Sequence, residues 1–243
     1  MTSTNYEISD GYDSNKSPEH YFTCMNTMIF EEDALLFPIE NLTKTLKEGR
    51  ISGDVIINLS VASVVHHLYA ACDFFKHLIV LEVNDRCTIK LKRWLDSRTG
   101  VIGDQLSDRE GKVRSSLQNI VKCDPEKENM TDPIVLPPAD CIFSAWLLEE
   151  ISKDQHGYIR YLRKFSKMLK PGGHLILIGA LRMTYFFVGK NKFRSFKNYE
   201  AFIRKALAGE GFVIDKCKIK KRTTVSDLSD YKAVIFISAH KEK

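Results

Sequence analysis

The sequence lacks the residue patterns that mark several common classes of protein. Its six cysteines form no CxxC pair and have no histidine at zinc-finger spacing, which argues against a metal centre. Most of them have apolar neighbours, so they are predicted to be reduced, buried thiols of a cytoplasmic protein. No apolar run approaches the length of a membrane span, and there is no internal repeat or low-complexity segment.

Charge of one sign is not concentrated either, because 36 basic residues are interspersed with 31 acidic ones and the net charge is +5. The exception is a short basic cluster at 216–222, in which charged residues alternate with Cys217 and Ile219. This alternation favours the solvent face of a strand over a nucleic-acid patch, since no aromatic residues are interleaved with the lysines. Neither a nucleic-acid nor a membrane partner is predicted, and we expect a monomer.

Length and composition indicate one domain over residues 1–243. A chain of 243 residues that is 44% hydrophobic can bury one substantial core, and single α/β domains commonly reach this size. Residues 1–17 are polar and carry acidic and basic side chains, so we expect a flexible leader rather than a signal peptide.

Apolar runs and amphipathic segments alternate along the chain. Buried strands are predicted at 54–59, 78–81, 139–144 and 174–178. Helices are predicted at 40–48, 63–75, 88–95, 113–121 and 157–169, the last ending at the Lys-Pro-Gly-Gly turn of 170–173. The final apolar runs, 211–220 and 231–239, are separated by a polar stretch of about ten residues, which favours an antiparallel hairpin.

This order predicts an α/β fold with an open, doubly wound, mostly parallel sheet closed by a C-terminal antiparallel hairpin. Ligands of such sheets bind outside the carboxyl ends of the strands, at the point where the strand order reverses. The residues of interest therefore follow Leu59, Leu81, Cys123, Ser144 and Ile178.

Two acidic residues occupy such positions. Glu82 follows a predicted strand, where an acid can accept hydrogen bonds from both ribose hydroxyls of a nucleoside cofactor, although an acid there is equally typical of a solvated turn. Asp124 is placed to accept from an adenine amino group, but an Asp before Pro125 also commonly begins a turn. We expect both carboxylates to face one cleft, because they follow adjacent parallel strands.

Specific motifs lie further along the chain. They are Leu-Pro-Pro-Ala-Asp-Cys at 136–141, Leu-Lys-Pro-Gly-Gly-His-Leu at 169–175, and Gly-Ala-Leu at 179–181 with Tyr185 and Gly189 after it. The second motif occurs in many methyltransferases, whereas the first and third in this order are far more specific. On these motifs the chain resembles, nearly end to end, the nicotinamide, phenylethanolamine and indolethylamine N-methyltransferases.

The resemblance implies a class I methyltransferase domain with a seven-stranded Rossmann-like sheet and an N-terminal helical lid. It also implies transfer of a methyl group from S-adenosylmethionine to a small amine or pyridine. The substrate positions that it suggests are Ser195 and Tyr185. Its suggested cofactor positions are Tyr21, Ser60, His66, Glu82, Asn84, Asp124 and Ala145.

The first cofactor motif departs from the family. Where the family has Asp-Ile-Gly-Ser-Gly-Pro-Thr, residues 58–64 read Asn-Leu-Ser-Val-Ala-Ser-Val, so Ser60 and Ala62 replace both glycines and Asn58 replaces the acid. Glycine reaches left-handed backbone conformations that cost other residues about 1–2 kcal/mol each. Weakened cofactor binding is therefore expected, and the alternative function is that of a catalytically weak or inactive relative with a binding or regulatory role.

The lid and the substrate region also differ. A tyrosine pair of the lid is replaced by Met25 and Asn26, while Gly179, Arg182 and Met183 stand where relatives carry amine-binding acids. The neighbouring acids at 149–150 are interpreted as helix-start residues rather than as an amine anchor. The aromatic run 185–187 is interpreted as sheet-packing core rather than as an aromatic slot.

Overall fold

The computed structural model describes residues 8–9, 32–60, 64–83, 85–96, 104–188, 191–223 and 226–242. Outside this part of the chain lie the predicted helical lid with Tyr21, most of the predicted leader, Asn84 and residues 61–63.

Helices and strands alternate through most of the described residues. The helices are α1 (Glu32–Lys47), α2 (Val64–Ala71), α3 (Asp85–Asp96), α4 (Asp104–Ser116), α5 (Leu147–Ile151), α6 (Gln155–Met168) and α7 (Glu200–Gly209). The strands are β1 (Ile8–Ser9), β2 (Gly53–Ser60), β3 (Phe75–Glu82), β4 (Leu117–Lys122), β5 (Ala139–Ala145), β6 (Leu169–Leu181), β7 (Tyr185–Val188), β8 (Asn191–Arg194), β9 (Phe212–Lys221) and β10 (Ala233–Lys241).

A seven-stranded sheet of order β4-β3-β2-β5-β6-β10-β9 forms the centre of the fold. The strands from β4 to β6 run parallel to one another, and β10 runs antiparallel to both β6 and β9. The chain moves outward from β2 to β3 in one direction and from β5 to β6 in the other, so right-handed crossovers put α2 and α6 on opposite faces. The predicted doubly wound sheet with a C-terminal hairpin is confirmed.

The central strands form where the sequence has near-continuous apolar runs. From Val55 to Ser60, every residue of β2 is buried, as expected for a parallel strand covered by helices on both faces. The covering helix α6 buries Tyr158, Leu162 and Phe165 along one stripe, and Asp154 caps its start by accepting a hydrogen bond from the Gly157 N–H at 2.8 Å.

One predicted element is wrong. The helix expected at 113–121 ends at Ser116, and the next six residues form the edge strand β4, which pairs in parallel with β3. The apolar pattern of β4 is weak because Gln118 and Asn119 are exposed where the pairing with β3 shifts register. Pairing with β3 overrides the helical pattern that precedes this segment.

Two predicted boundaries also shift. The helix expected at 63–75 is α2, which ends at Ala71, because Phe75 already pairs with Gly53 as the first residue of β3. The predicted turn at 170–173 loops out of the ladder between β5 and β6, and Gly172 within it has a φ of 74° that favours glycine.

The basic cluster at 216–222 lies mostly on β9, the outer strand of the sheet. Lys216 pairs with Glu48 of α1 at 2.7 Å, while Ile219 is 41% exposed, so both faces of the strand reach solvent near its end. Charged side chains on an outer strand discourage pairing with another chain.

A second, three-stranded sheet has the order β1-β8-β7. Its first strand, β1, falls within the predicted leader and pairs in parallel with β8. Phe186 of β7 is buried and stacks on Phe193 of β8, with ring centroids 5.4 Å apart. Phe186 therefore has the packing role that the sequence favours for the aromatic run.

The thiols of Cys72, Cys123 and Cys141 are buried, in agreement with the sequence analysis. Among the described side chains, no three metal-binding groups are arranged around one point where an ion fits. Within the same residues, no helix combines the length and apolar character that crossing a bilayer requires.

Asp140 joins the beginning of the central strand to its neighbour. Its carboxylate accepts hydrogen bonds from the N–H groups of Asp54 and Val55, at 2.8 and 2.9 Å, and from Lys170 Nζ at 2.7 Å. Burial works to raise the pKa of Asp140, but Lys170 and the two backbone donors outweigh it and hold the pKa below its ordinary value of 3.8. A Cβ on Gly53 would overlap this carboxyl group, which explains the glycine.

We expect Asp140→Asn to lower the free energy of unfolding at neutral pH by about 1–3 kcal/mol, because it removes a charged acceptor from three donors. Since the folded pKa is depressed, this stabilisation is present above pH 3.8 and is lost as the pH falls through the folded pKa. Urea unfolding of both proteins should therefore give curves that converge in acid. Glu128→Gln, which removes an exposed acid, serves as the control, and an equal change there would contradict the assignment.

Candidate functional site

The carboxyl ends of the five parallel strands, β2 to β6, share one edge of the sheet, here called the carboxyl edge. Strand order reverses between β2 and β5, which makes their ends the place where ligands of such sheets bind. Ser60 and Ala145 are the last residues of these two strands and stand opposite each other in register. The structure thus brings together two of the cofactor positions suggested by the sequence.

Buried polar atoms collect at this reversal point. Asn58 Oδ1, Ser60 Oγ and Ser144 Oγ are buried and have no hydrogen-bond partner among the residues that the structure describes. Leaving a buried polar group unsatisfied costs about 1–3 kcal/mol, so such groups usually serve a ligand or water. The replaced first motif therefore still presents hydrogen-bonding groups at the reversal point.

Glu82 and Asp124 lie at the carboxyl edge on adjacent strands. Glu82 ends β3 opposite Lys122 of β4, it is 5% exposed, and its carbonyl accepts from the Cys123 N–H at 2.9 Å. Burial raises the pKa of the Cys123 thiol to about 12, and the charges of Glu82 and Asp124 add to this shift. Both carboxylates therefore lie near one thiol on the same edge of the sheet.

Asp124 also has a local structural role. It is exposed, and its Oδ1 accepts from the Glu126 N–H at 3.0 Å, which is the side-chain turn expected for an Asp before proline. Lys164 of α6 anchors this turn by donating to the carbonyls of Pro125 and Lys127, at 2.5 and 2.7 Å. The turn interpretation is supported, and the fixed turn also holds Asp124 at the carboxyl edge.

Glu149 differs most from its sequence interpretation. It does start a helix, α5, but it is 1% exposed and its Oε1 accepts from the Ala180 N–H of β6 at 2.7 Å. Burial raises the pKa of Glu149 to about 7, although backbone hydrogen bonds oppose the shift. A Cβ on Gly179 would stand 3.3 Å from Glu149 Oε1, so the glycine leaves room for the carboxylate.

Two residues that follow strands at the carboxyl edge have left-handed backbone conformations. Trp146 follows β5 and Arg182 follows β6, and each has a φ of 61°. This conformation is unusual for residues with a Cβ, and such residues cluster at functional sites. Backbone bonds hold both in place, because the Trp146 N–H donates to the Ile178 carbonyl and the Arg182 N–H to the Asn198 carbonyl, each at 3.0 Å.

The segment 195–198 forms another wall of the site. The Ser195 N–H donates to the Thr184 carbonyl at 2.9 Å, and the Phe196 N–H donates to the Glu149 carbonyl at 2.8 Å. The Ser195 hydroxyl and both polar atoms of the Asn198 amide are buried without a partner in the described part of the chain. Ser195 was suggested by the sequence as a substrate contact, whereas Asn198 was not.

The structure gives less information on the other positions that the sequence suggested for the cofactor and the substrate. Tyr185 lies on β7, is partly buried, and packs edge-on against Phe187 with ring centroids 5.7 Å apart. His66 belongs to α2, but its side chain lies outside the described part of the structure, as do Tyr21 and Asn84. Their suggested contacts with a cofactor stay predictions.

Sequence reasoning missed two polar residues of this site. Two adjacent acids soon after a predicted strand are a signal for a functional acid at Glu149, but acids at the start of a helix have the same pattern. Asn198 has no local signal in the sequence, since only the burial of its amide group, without a partner among the described residues, distinguishes it.

The fold defined by this sheet is that of S-adenosylmethionine-dependent methyltransferases. A methyltransferase structure from Methanosarcina mazei aligns with a TM-score of 0.61 at 12% identity, covering 82% of this chain and 97% of that one. One from Clostridium acetobutylicum aligns with a TM-score of 0.58 at 14% identity, covering 90% and 99%.

The family follows from the sequence comparison. The NNMT/PNMT/TEMT family profile matches residues 3–242, and the chain belongs to this family. Human nicotinamide N-methyltransferase is 25% identical over 97% of both chains. Human phenylethanolamine N-methyltransferase is 28% identical over 82% of this chain and 78% of its own. Indolethylamine N-methyltransferase of Oryctolagus cuniculus is 26% identical over 87% and 86%. The resemblance inferred from the motifs is confirmed.

The buried carboxyl group of Glu149 makes stability depend on pH. Its pKa is about 7 in the folded protein, against an ordinary value of 4.5 that applies to the unfolded chain. The protonated group's contribution to the free energy of unfolding is therefore fully present below pH 4.5 and is lost as the pH rises through 7. Glu149→Gln keeps an acceptor for the Ala180 N–H without a titrating group. Above neutral pH this variant should unfold with a free energy higher than wild type by up to about 3 kcal/mol. Urea unfolding across this pH range measures the difference in the free energy of unfolding. If the free energy of wild type changed with pH no more than that of the variant, the assignment would be contradicted.

Proposed function

We propose that this chain binds S-adenosylmethionine at the carboxyl edge and transfers its methyl group to the nitrogen of a small amine or pyridine. Membership of the family and the methyltransferase fold support cofactor binding. The observation that carries the choice of acceptor is the buried carboxylate of Glu149 beside the end of β6. An acid kept out of water with a pKa of about 7 suits work on a basic nitrogen near neutral pH.

The residues at the edge fit the cofactor. Glu82 has the position to accept from the ribose hydroxyls, and Asp124 has the position to accept from the adenine amino group. Ser60 and Ala145 would border the methionine end, where Asn58 Oδ1 and Ser60 Oγ are polar atoms without a described partner. Tyr21, His66 and Asn84 complete the proposed set. When bound, this cofactor supplies a sulfonium-activated methyl group.

The proposed task of Glu149 follows from charge. A nitrogen that gains a methyl group gains positive charge, and a nearby carboxylate in a site screened from water stabilises that charge. If the amine arrives protonated, its proton must leave before the nitrogen can react, and Glu149 can take it because the pKa of its carboxyl group is about 7. Leu147 and Leu148, which precede the acid in sequence, are buried with it at the start of α5.

A second candidate function is that of a weak or inactive methyltransferase retained for binding or regulation. It is favoured by Ser60 and Ala62, which replace the two glycines of the family's first motif. Ser60 is 3% exposed at the end of β2, so its side chain takes up space inside the site. This candidate shares the fold and family of the first and differs only in cofactor affinity and turnover.

The proposed function is tested by calorimetric titration with S-adenosylmethionine and by transfer of a labelled methyl group to nicotinamide, tryptamine and phenylethanolamine. Glu82→Gln should weaken cofactor binding about tenfold or more, since it removes a charged acceptor. Glu149→Gln should lower kcat and leave cofactor affinity unchanged. Asp85→Asn, which removes an acid of an exposed ion pair nearby, should change neither. A wild type that neither binds the cofactor nor methylates these compounds would overturn the proposal.

The two candidate functions are separated by restoring the motif. If the loop limits affinity, Ser60→Gly combined with Ala62→Gly should tighten cofactor binding by more than either change alone, because neighbours on one loop share a backbone path. The gain should stay within about 1–2 kcal/mol per residue. Stability should fall slightly, since glycine enlarges the unfolded ensemble. If wild type turned over substrate and the double variant bound the cofactor no more tightly, the proposal of a weak or inactive methyltransferase would be rejected.

A further inference from the structure

Two positively charged side chains lie near Tyr199, next to segment 195–198. The guanidinium of Arg182 and the ammonium of Lys197 each lie 6.0 Å from the ring centroid of Tyr199, which is 47% exposed. Neither forms an ion pair with a carboxylate among the described residues, whereas Arg204 in the adjoining helix α7 pairs with Glu200 at 2.8 Å. A local excess of positive charge attracts an anionic group.

The backbone of Arg182 is held in an unusual conformation. Its φ is 61°, and its N–H donates to the Asn198 carbonyl at 3.0 Å. Such a conformation costs free energy and persists where the surrounding structure imposes it, most often at functional sites. The backbone from which this arginine side chain extends is therefore fixed at the end of β6.

Buried donors accompany the arginine. Ser195 and Asn198 are 3% and 1% exposed, and their hydroxyl and amide groups have no partner in the part of the chain described. Their burial without a partner is costly unless a ligand or water supplies one. A hydroxyl and a primary amide can both donate to a carboxylate oxygen.

One short segment connects the acid to the arginine. The Phe196 N–H donates to the Glu149 carbonyl, and the Asn198 carbonyl accepts from the Arg182 N–H. Three consecutive residues therefore link the backbone of the acid to that of the arginine. A substrate with one basic nitrogen and one carboxylate has the charges that complement this acid and this arginine.

We propose that the acceptor substrate carries a carboxylate, as an amino acid or a pyridine carboxylate does, and that Arg182, Asn198 and Ser195 bind this group while Glu149 faces the nitrogen. This inference rests on the proposed function and adds the substrate class. Arg182 supplies a charged, forked donor suited to a carboxylate, and Asn198 and Ser195 supply neutral donors. Lys197 adds attraction at the rim.

The test compares pairs of compounds that differ only in the charged group. Pyridine-3-carboxylate is set against pyridine-3-carboxamide, and tryptophan against tryptamine, with kcat/KM measured by labelled methyl transfer. Wild type should favour the carboxylate of each pair. Arg182→Gln should lower kcat/KM for the carboxylates about tenfold or more and change that of the neutral partners no more than about twofold. Lys205→Gln, which removes an exposed charge on α7, is the matched control and should leave both ratios unchanged.

A second variant separates binding from structure. Asn198→Leu keeps a similar volume but removes the buried amide, so it should raise the melting temperature and also erode the preference for carboxylates. A purely structural amide would change the melting temperature and leave the preference intact, which would remove Asn198 from the proposed site.

The remaining outcomes are distinct. Wild-type preference for the neutral partner, or an equal loss for both partners in Arg182→Gln, would overturn the carboxylate inference and leave the proposed function standing. Absence of cofactor binding together with absence of methylation for all four compounds would overturn both.

Discussion

The rest of the structure depends on the hydrogen-bonded pairing of β2 with β3 on one side and with β5 on the other. Strand β2 is buried on both faces and pairs in parallel with β3 on one side and with β5 on the other, so the carboxyl ends of these three strands lie at one edge. Strand order reverses between β2 and β5, and this places Ser60 opposite Ala145 at the point where ligands of such sheets bind. The acid at the end of β3 reaches the same edge by the same pairing.

The contact between Glu149 and Gly179 shows how the edge is built near the end of β6. A glycine in β6 leaves the space that the carboxylate occupies, and the next backbone N–H satisfies one of its oxygens. The acid therefore comes from α5 rather than from β6, where a side chain at position 179 would compete for the same volume. Burial raises the pKa of Glu149 to about 7, so its carboxyl group can take up or release a proton near neutral pH.

The periodicity of the chain accounts for much of the fold. The apolar runs at 54–59, 78–81 and 174–178 became strands because continuous burial on two faces needs continuous apolar sequence. The edge strand β4 was missed because its exposed Gln118 and Asn119, which lie where the pairing with β3 shifts register, break that pattern. On the site, Glu82 and Asp124 follow from strand order alone. The pattern of acids at the start of α5 could not distinguish a solvated helix start from a buried acid.

The sequence by itself determined the order of elements, the family through its motifs, and the positions that follow each parallel strand, because these depend on local composition and on the handedness of crossovers. Tertiary structure alone decided that Glu149 is buried and that Arg182 and Trp146 take left-handed conformations. It also decided that the polar side-chain atoms of Ser195 and Asn198 are buried without a partner among the described residues. Burial, strain and hydrogen-bond satisfaction depend on which distant segments come into contact. Segment 195–198 contacts α5 and the residue after β6, and no local pattern in the sequence of these segments predicts that they meet.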